Sequence, residues 1–285
     1  MRAHPFRIRV QAGTILKWII AIVVFIIAVF PIWWMFNIAF SDPGTPVSVN
    51  PRLYPSSFSA GIQNIVKVLS ENNYQFLKAY VNSALYTIFT IIGSLFLCSM
   101  AAYEFALFDF PGKRVLFTLV LFALMIPTVV TLVPTYLLVA DLGWINTLQG
   151  LVVPGIASAF GLFMLTQFLQ DTPREIMDAA MIDGATHFGV YRYVVLPLST
   201  NALVTLSIII FISTWGNFVW PLVIATTENT FTVSQMINRY NGQFTRASIN
   251  TIMTANLLAA VLPLLFFIIF QNKIIKGISM SGLKG

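Results

Sequence analysis

Six stretches of this 285-residue chain contain no Asp, Glu, Lys or Arg: residues 18–41, 79–103, 115–140, 142–170, 193–227 and 247–272. Each has enough apolar sequence for the roughly 20 residues that a helix needs to cross a hydrocarbon core about 30 Å thick. They are solid runs of Ile, Leu, Val and Phe, whereas the strands of a membrane barrel would alternate over segments of about ten residues. The expected fold is therefore an all-α integral membrane protein with six transmembrane helices. Composition agrees, since 58% of the residues are hydrophobic and 9% charged, against roughly 25% charged in soluble domains. A water-soluble enzyme and a disordered regulator are excluded on that ground. The single cysteine, Cys98, leaves no disulfide framework, and no Cys/His cluster is present to hold a metal.

An even number of spans puts both termini on one side. With that side cytoplasmic, the inner segments carry eleven basic residues, Arg2, Arg7, Arg9, Lys17, Lys113, Arg114, Arg174, Arg192, Lys273, Lys276 and Lys284. The outer loops carry five, Arg52, Lys67, Lys78, Arg239 and Arg246. This is the positive-inside bias, so the formal net charge of +6 reads as orientation among lipids and not as a nucleic-acid footprint. The chain divides into a basic cytoplasmic N-terminal arm (1–17), a six-span domain (18–272) and a cytoplasmic tail (273–285). The first apolar run is too long for a signal-peptide core and lacks a small-residue cleavage site, so it reads as a retained helix. Outside, residues 41–78 have room for a short amphipathic helix with Ile62, Ile65, Val66 and Leu69 at helical spacing. Residues 141–149 make a tight connection, and 226–250 are rich in Thr, Asn and Gln.

No ionisable residue lies inside the spans, where an ion-coupled carrier would need one to relay charge. The stretch Pro111-Gly112-Lys113-Arg114 lacks the first glycine and the Ser or Thr of a nucleotide phosphate loop, so it is a basic turn. His4 and His187 have no second histidine or nucleophile set beside them, and no intramembrane carboxylate is available for hydrolysis. The chain thus has no catalytic residues and no cofactor of its own. If it moves a solute uphill, another chain supplies the energy; the competing readings are a carrier working alone and a membrane scaffold that transports nothing.

Between the fourth and fifth spans, residues 171–197 carry Asp171, Glu175, Asp178 and Asp183 against Arg174 and Arg192, a net of minus two on the side that is elsewhere basic. Thr172, Pro173 and Glu175 read as an N-cap, a first-turn proline and the reciprocal acid of a capping box. The helix they open runs through Ile176, Ala179, Ala180 and Ile182 until Asp183 and Gly184 stop it. A second short helix follows from Thr186 toward Val195, and Pro197 hands the chain to the fifth span. Ile176, Ala179 and Ala180 share a face at i, i+3 and i+4, and the small alanines admit another backbone. That face is either a docking surface or a solvated connector.

Asp178-Ala179-Ala180, then Gly184, then Val194, Leu196 and Pro197 resemble the cytoplasmic signature of importer permeases of the ATP-binding cassette class, Glu-Ala-Ala, three residues, Gly, nine residues, Ile, one residue, Leu-Pro. Asp178 replaces Glu and Val194 replaces Ile, and both keep the chemistry. The run from Ala179 to Ala185 is similar to the form found in carbohydrate importers. Asn82-Ser83, Phe110 to Lys113, Ile126-Pro127, Trp215 to Leu222 and Gly282 to Gly285 resemble the maltose-type second permease subunit, with Gly216 departing from the more usual Asn.

The resemblance implies a multi-pass subunit of a prokaryotic cell membrane, paired with a second homologous permease, two cytoplasmic ATPases that hold ATP and Mg, and an external solute-binding protein. It implies that 171–197 is the coupling loop, with Glu175, Asp178, Ala179, Ala180, Asp183, Gly184, Leu196 and Pro197 as its working residues. Asp178 is expected to accept a charge-assisted hydrogen bond from an ATPase, and Gly184 to supply the turn between the two short helices, where a Cβ would be sterically costly. The tail from Lys273 is expected either to reach the ATPases or to anchor its lysines at lipid headgroups. Pro127, Pro134 and Pro263 permit bends. Asn82, Thr131, Gln167, Ser213 and Asn217, with Thr214 and Asn256, are polar at membrane depth and either bind a hydroxylated solute or stitch helices together. Trp215 and Trp220 either stack on sugar rings or anchor a span's end. A span region without Arg or Lys fits a neutral sugar or polyol.

Overall fold

The computed structural model describes residues 12–42, 53–241 and 247–282. The chain runs α1 (Ala12–Ala39), α2 (Phe58–Leu107), α3 (Lys113–Met125), α4 (Thr128–Asp141), α5 (Leu148–Ile156), α6 (Ala159–Gln170), α7 (Arg174–Ile182), α8 (His187–Val190), a π-helical turn (Tyr191–Val195), α9 (Leu196–Leu198), α10 (Thr200–Trp215), α11 (Val219–Ile224), a 3₁₀ turn (Glu228–Thr230), α12 (Val233–Asn241) and α13 (Ile249–Gly282). Arg2, Arg7, Arg9, Arg52, Arg246 and Lys284 lie outside the described residues. The tail is helical through Gly282, with no break at residue 272.

Three of these helices are long and apolar enough to cross a membrane, over Gly13–Ala39, Gln75–Leu107 and Ile249–Gln271. The other three apolar runs are broken: α3 turns into α4 by 105°, α5 into α6 by 41°, and His187–Leu198 into α10 by 73°. The largest bend has a direct cause. Pro127 disfavours the helical conformation at the residue before it, and Ile126 and Pro127 are both extended, with ψ of 118° and 134°. Pro134 and Pro263, also expected to permit bends, sit inside α4 and α13. The second break carries its own restart signal: Ser158 accepts the Gly161 amide at 3.0 Å as N-cap of α6.

Contacts divide the chain into two compact units, Met1–Val68 with Gln243–Leu258, and Leu69–Gly242 with Ala259–Gly285, where one membrane domain was expected. In the first, most of α1 is exposed and only its last turn is buried. A helix end leaves carbonyls without partners, and two amides from elsewhere satisfy those of α1. Asn64 Nδ2 donates to Ala39 O at 2.8 Å, and Asn250 Nδ2 donates to Ile38 O and Ser41 O, each at 2.9 Å. Phe40 stacks on Phe36 at 4.4 Å and lies over Gly61, where a Cβ would collide with its ring. The amphipathic helix expected within 41–78 is not separate; it is the start of α2. Its buried positions are Ala60, Gly61, Asn64 and Val68, while Ile62 and Val66 are exposed. Asn64 sets that inward face by its bonds to α1, which overrides the apolar spacing.

The second unit has two apolar cores. One joins Cys98, Ala102 and Ala106 of α2 to Leu165 and Leu169 of α6, to Ala202, Leu206 and Ile210 of α10, and to Met177, Val190, Tyr191 and Val195. The other gathers Tyr86, Val139, Leu151, Val152, Ile224 and Ala225, with Trp144 and Trp220 against them. Phe211 of α10 stacks on Phe266 of α13 at 3.9 Å, and Trp215 Nε1 donates to Ala259 O at 3.3 Å.

Candidate functional site

The loop 171–197 is folded, and its two faces differ. α7 does not open with the expected capping box: Pro173 is its N-cap, without a side-chain bond, and the Thr172 hydroxyl turns back to Phe168 O at 3.5 Å. Its end is built as read. Gly184 has φ of 88°, Gly184 N donates to Met181 O, and Ala185 N donates to Ala180 O, both at 3.0 Å. That pair of bonds around a left-handed residue is a Schellman stop. No atom beyond Gly184 and its chain neighbours lies within 4 Å of where its Cβ would be, so the cost of a Cβ there comes from the left-handed backbone itself.

Thr186 then caps α8 by accepting the Gly189 amide at 3.1 Å. The next turn widens to π geometry, with Leu196 N bonding to Tyr191 O. Pro197 offers no amide to the carbonyl four residues back and its ring crowds that carbonyl, which favours the wider turn preceding it.

Met177, Val190, Tyr191 and Val195 are buried in the first core of this unit, and Ala180, Val194 and Leu196 pack against it. Three polar and aromatic ties to α2 and the residue that follows it reinforce the junction. Ser99 Oγ lies 2.7 Å from the Tyr191 hydroxyl, Tyr103 OH donates to His187 O at 3.2 Å, and the Phe108 ring meets His187 edge-on at 5.2 Å. The opposite face is bare. Ile182 is 86% exposed and Phe188 60%, with Ile176 and Met181 also exposed. Glu175, Asp178 and Asp183 are exposed among them, so the apolar patch has an acidic border. Ala179 is on this outward side, whereas Ala180 faces the core, so the alanine pair does not form one docking face.

A second feature lies at the other core of the same unit. A cavity of about 400 Å³ is lined by Tyr86 of α2, Thr128, Thr131 and Thr135 of α4, and Asn217 and Trp220 at the start of α11. Asn217 is held at both ends of its amide. Its Oδ1 accepts Trp220 N at 3.3 Å, and its Nδ2 points to the Tyr86 hydroxyl at 3.4 Å. Trp220 Nε1 donates to Leu151 O at 3.2 Å, which fixes the indole in the wall.

A family model described as binding-protein-dependent transport system inner membrane component matches residues 94–280. The chain belongs to that family. It is 30% identical to the arabinooligosaccharides transport system permease protein of Bacillus subtilis, over 77% of this chain and 80% of that one. It is also 30% identical to the sn-glycerol-3-phosphate transport system permease protein of Rhizobium meliloti, over 89% and 91%. Its fold matches a chain of a bacterial ABC transporter involved in the import of the acidic polysaccharide alginate, with a TM-score of 0.81, 20% identity, and coverage of 94% and 99%.

This inner membrane component is thus a transport permease subunit and not an enzyme. The permease's expected path residues are distributed unevenly. Thr131 and Asn217 meet in the cavity. Asn82 does not line it; its Nδ2 donates to Asn229 O and Phe231 O at 2.8 and 3.0 Å and ties α2 to the 3₁₀ turn. Gln167, Ser213 and Asn256 bond within their own helices, to Gln170, Ile210 and Ile252, and Thr214 is buried. Of the two tryptophans, Trp215 is buried against Phe211, and Trp220 faces the cavity. Tyr86, Ser99, Tyr103 and Tyr191 were missed by sequence reasoning, because a single hydroxyl-bearing side chain carries no spacing signal that shows it is buried against a partner.

Proposed function

We propose that this permease subunit crosses the membrane six times with both termini cytoplasmic, and couples to partner ATPases through residues 171–197. Six spans follow if each bent helix pair is one crossing. The inside surplus of Lys and Arg supports the orientation. The assembly would hold a second homologous permease, two ATPases carrying ATP and Mg, and an external solute-binding protein, with a sugar or related polyol as cargo. The arabinooligosaccharide relative supports that cargo class.

The observation that carries the coupling role is the loop's two-sidedness. Its inner face is joined to α2, α6 and α10, while Ile182, Phe188, Asp178 and Glu175 stand exposed. A partner gripping the exposed face would move three helices as one, because a close-packed interior transmits displacement. Asp178 and Glu175 are placed to receive basic groups of that partner.

Ile182→Cys tests both parts, and native Cys98 is buried and gives little background. A membrane-impermeant maleimide is expected to label the variant only from the cytoplasmic side, and to be blocked when the ATPase subunits are bound. Labelling from outside would reject the orientation. Labelling from inside that persists in the full complex would reject the docking face.

A further inference from the structure

We infer that this subunit itself holds the solute during transfer, in the cavity between Tyr86, Thr131, Asn217 and Trp220, and that the cavity accepts uncharged polyhydroxylated solutes and rejects anionic ones. The inference rests on the transport reading above and adds which subunit makes contact and what charge the cargo carries. Three observations carry it. The volume of about 400 Å³ is within the range of small-molecule sites. The wall has the two faces a sugar requires. Hydroxyls of Thr128, Thr131, Thr135 and Tyr86 and the amide of Asn217 form a mixed donor and acceptor edge, while Trp220 and Leu132 present apolar surface to C–H groups.

The polar groups are also preset. Asn217 Oδ1 is engaged by Trp220 N and the indole by Leu151 O, so neither side chain must be ordered when a solute enters. The Thr131 hydroxyl donates to Thr128 O at 3.0 Å, which leaves its oxygen to accept from a solute hydroxyl. Tyr86 OH accepts from Asn217 at 3.4 Å, which leaves its proton to donate.

The charge preference follows from what lines the space. No Lys, Arg or His is among the described lining residues. A carboxylate or phosphate drawn from water into such a wall would lose its hydration without gaining a counter-charge. A neutral hydroxyl exchanges water for Thr, Tyr and Asn partners at little net cost.

The test uses the full complex, with its partner permease, ATPases and binding protein, in proteoliposomes. Uptake and ATP hydrolysis are measured together for radiolabelled arabinotriose, maltotriose and glycerol, and for sn-glycerol 3-phosphate and digalacturonate. The variants are Thr131→Val, which keeps shape and removes the hydroxyl, and Asn217→Ser, which keeps an uncharged acceptor for Trp220 N and removes the amide donor. The expected result is ATP-driven uptake confined to uncharged probes. Solute moved per ATP should fall about tenfold in each variant, as loss of one polar contact predicts, while the melting temperature of the complex stays at the wild-type value. An unchanged solute-to-ATP ratio in both variants would remove the cavity from the path and leave the transport reading intact. A melting temperature that drops along with uptake in both variants would make these residues packing elements and overturn the inference. ATP-driven uptake of either anion by the wild type would overturn the charge preference. A wild-type complex that moves none of the probes with ATP would sink the transport reading, and this inference with it.

Discussion

Ser99 Oγ and the Tyr191 hydroxyl lie 2.7 Å apart in the core beneath the 171–197 loop. Ser99 also donates to Phe96 O at 3.2 Å, so its own proton is spent there and Tyr191 is the donor between them. The two truncations are therefore unequal. Tyr191→Phe leaves Ser99 bonded to Phe96 and should cost about 1 kcal/mol, whereas Ser99→Ala strands a buried phenol and should cost about 1–3 kcal/mol. The double variant should recover part of the Ser99→Ala loss. Thermal melting of the purified complex gives the order, and Tyr191→Phe as the worse single variant would contradict the assigned donor.

At Gly184 the requirement is conformational, with φ of 88° and open space where a Cβ would project. Residues should then rank by tolerance of left-handed backbone and not by size. Gly184→Asn is expected to be milder than Gly184→Ala, which should cost about 1–2 kcal/mol, with the β-branched Gly184→Val the most damaging. Stability of the isolated subunit reads this ranking. If Asn were as damaging as Val there, the conformational account would be wrong.

Asn146 organises the connection between α4 and α5. Its Oδ1 accepts the backbone amides of Thr226 and Thr227 at 2.7 and 3.0 Å and the Thr230 hydroxyl at 3.1 Å, from a residue whose own φ is 59°. Asn146→Gly relieves the backbone and removes the acceptor, while Asn146→Asp keeps the acceptor. The Asp variant should melt above the Gly variant, which loses about 1 kcal/mol for each unreplaced bond. Equal melting temperatures would show that water replaces the amide.

Tyr240, on α12 between charge-free runs, has its pKa pushed up to about 12 by burial, then by the charge of Glu71 and a hydrogen bond to it, against a lowering by Arg239. A raised folded pKa stabilises the fold fully below the ordinary value of 10, and that contribution is lost as pH rises from 10 through 12. Tyr240→Phe should therefore differ in stability from the wild type at pH 8, with the gap narrowing over pH 10–12. Tyrosinate absorbance read as a difference between the two proteins checks it, and a component titrating near 10 assigned to Tyr240 would refute the burial argument.

How much was legible depended on the range of the interaction. Charge-free runs locate apolar segments because the cost of burying charge acts residue by residue, so three runs stand as single long helices and the other three as bent helix pairs. Local signals were also readable: Gly184 ends α7 where Asp183-Gly184 stands in the sequence, and Thr186 caps the next helix. The capping box failed because Thr172 had a competing acceptor one turn back, in Phe168 O. The bend at Pro127 had a visible cause, but its 105° amplitude needed two successive extended residues. Pairings across distance were hidden. Thr131 and Asn217 were both singled out as polar residues at membrane depth, yet only folding brings them to one cavity with Tyr86. Asn64 and Asn250, polar within helices, gave no hint that their partners are the carbonyls of α1.

Those two asparagines decide how α1 can move. Among the described residues the helix is fastened at its C-terminal end, by amides gripping the carbonyls of Ile38, Ala39 and Ser41. Sliding along its own axis by one turn would break these bonds together and bring the Phe40 ring off Gly61. Tilting about the gripped end breaks none of them. The long apolar shaft is therefore a pivoted rod and not a piston, and the amino acids that set its pivot stand on other helices.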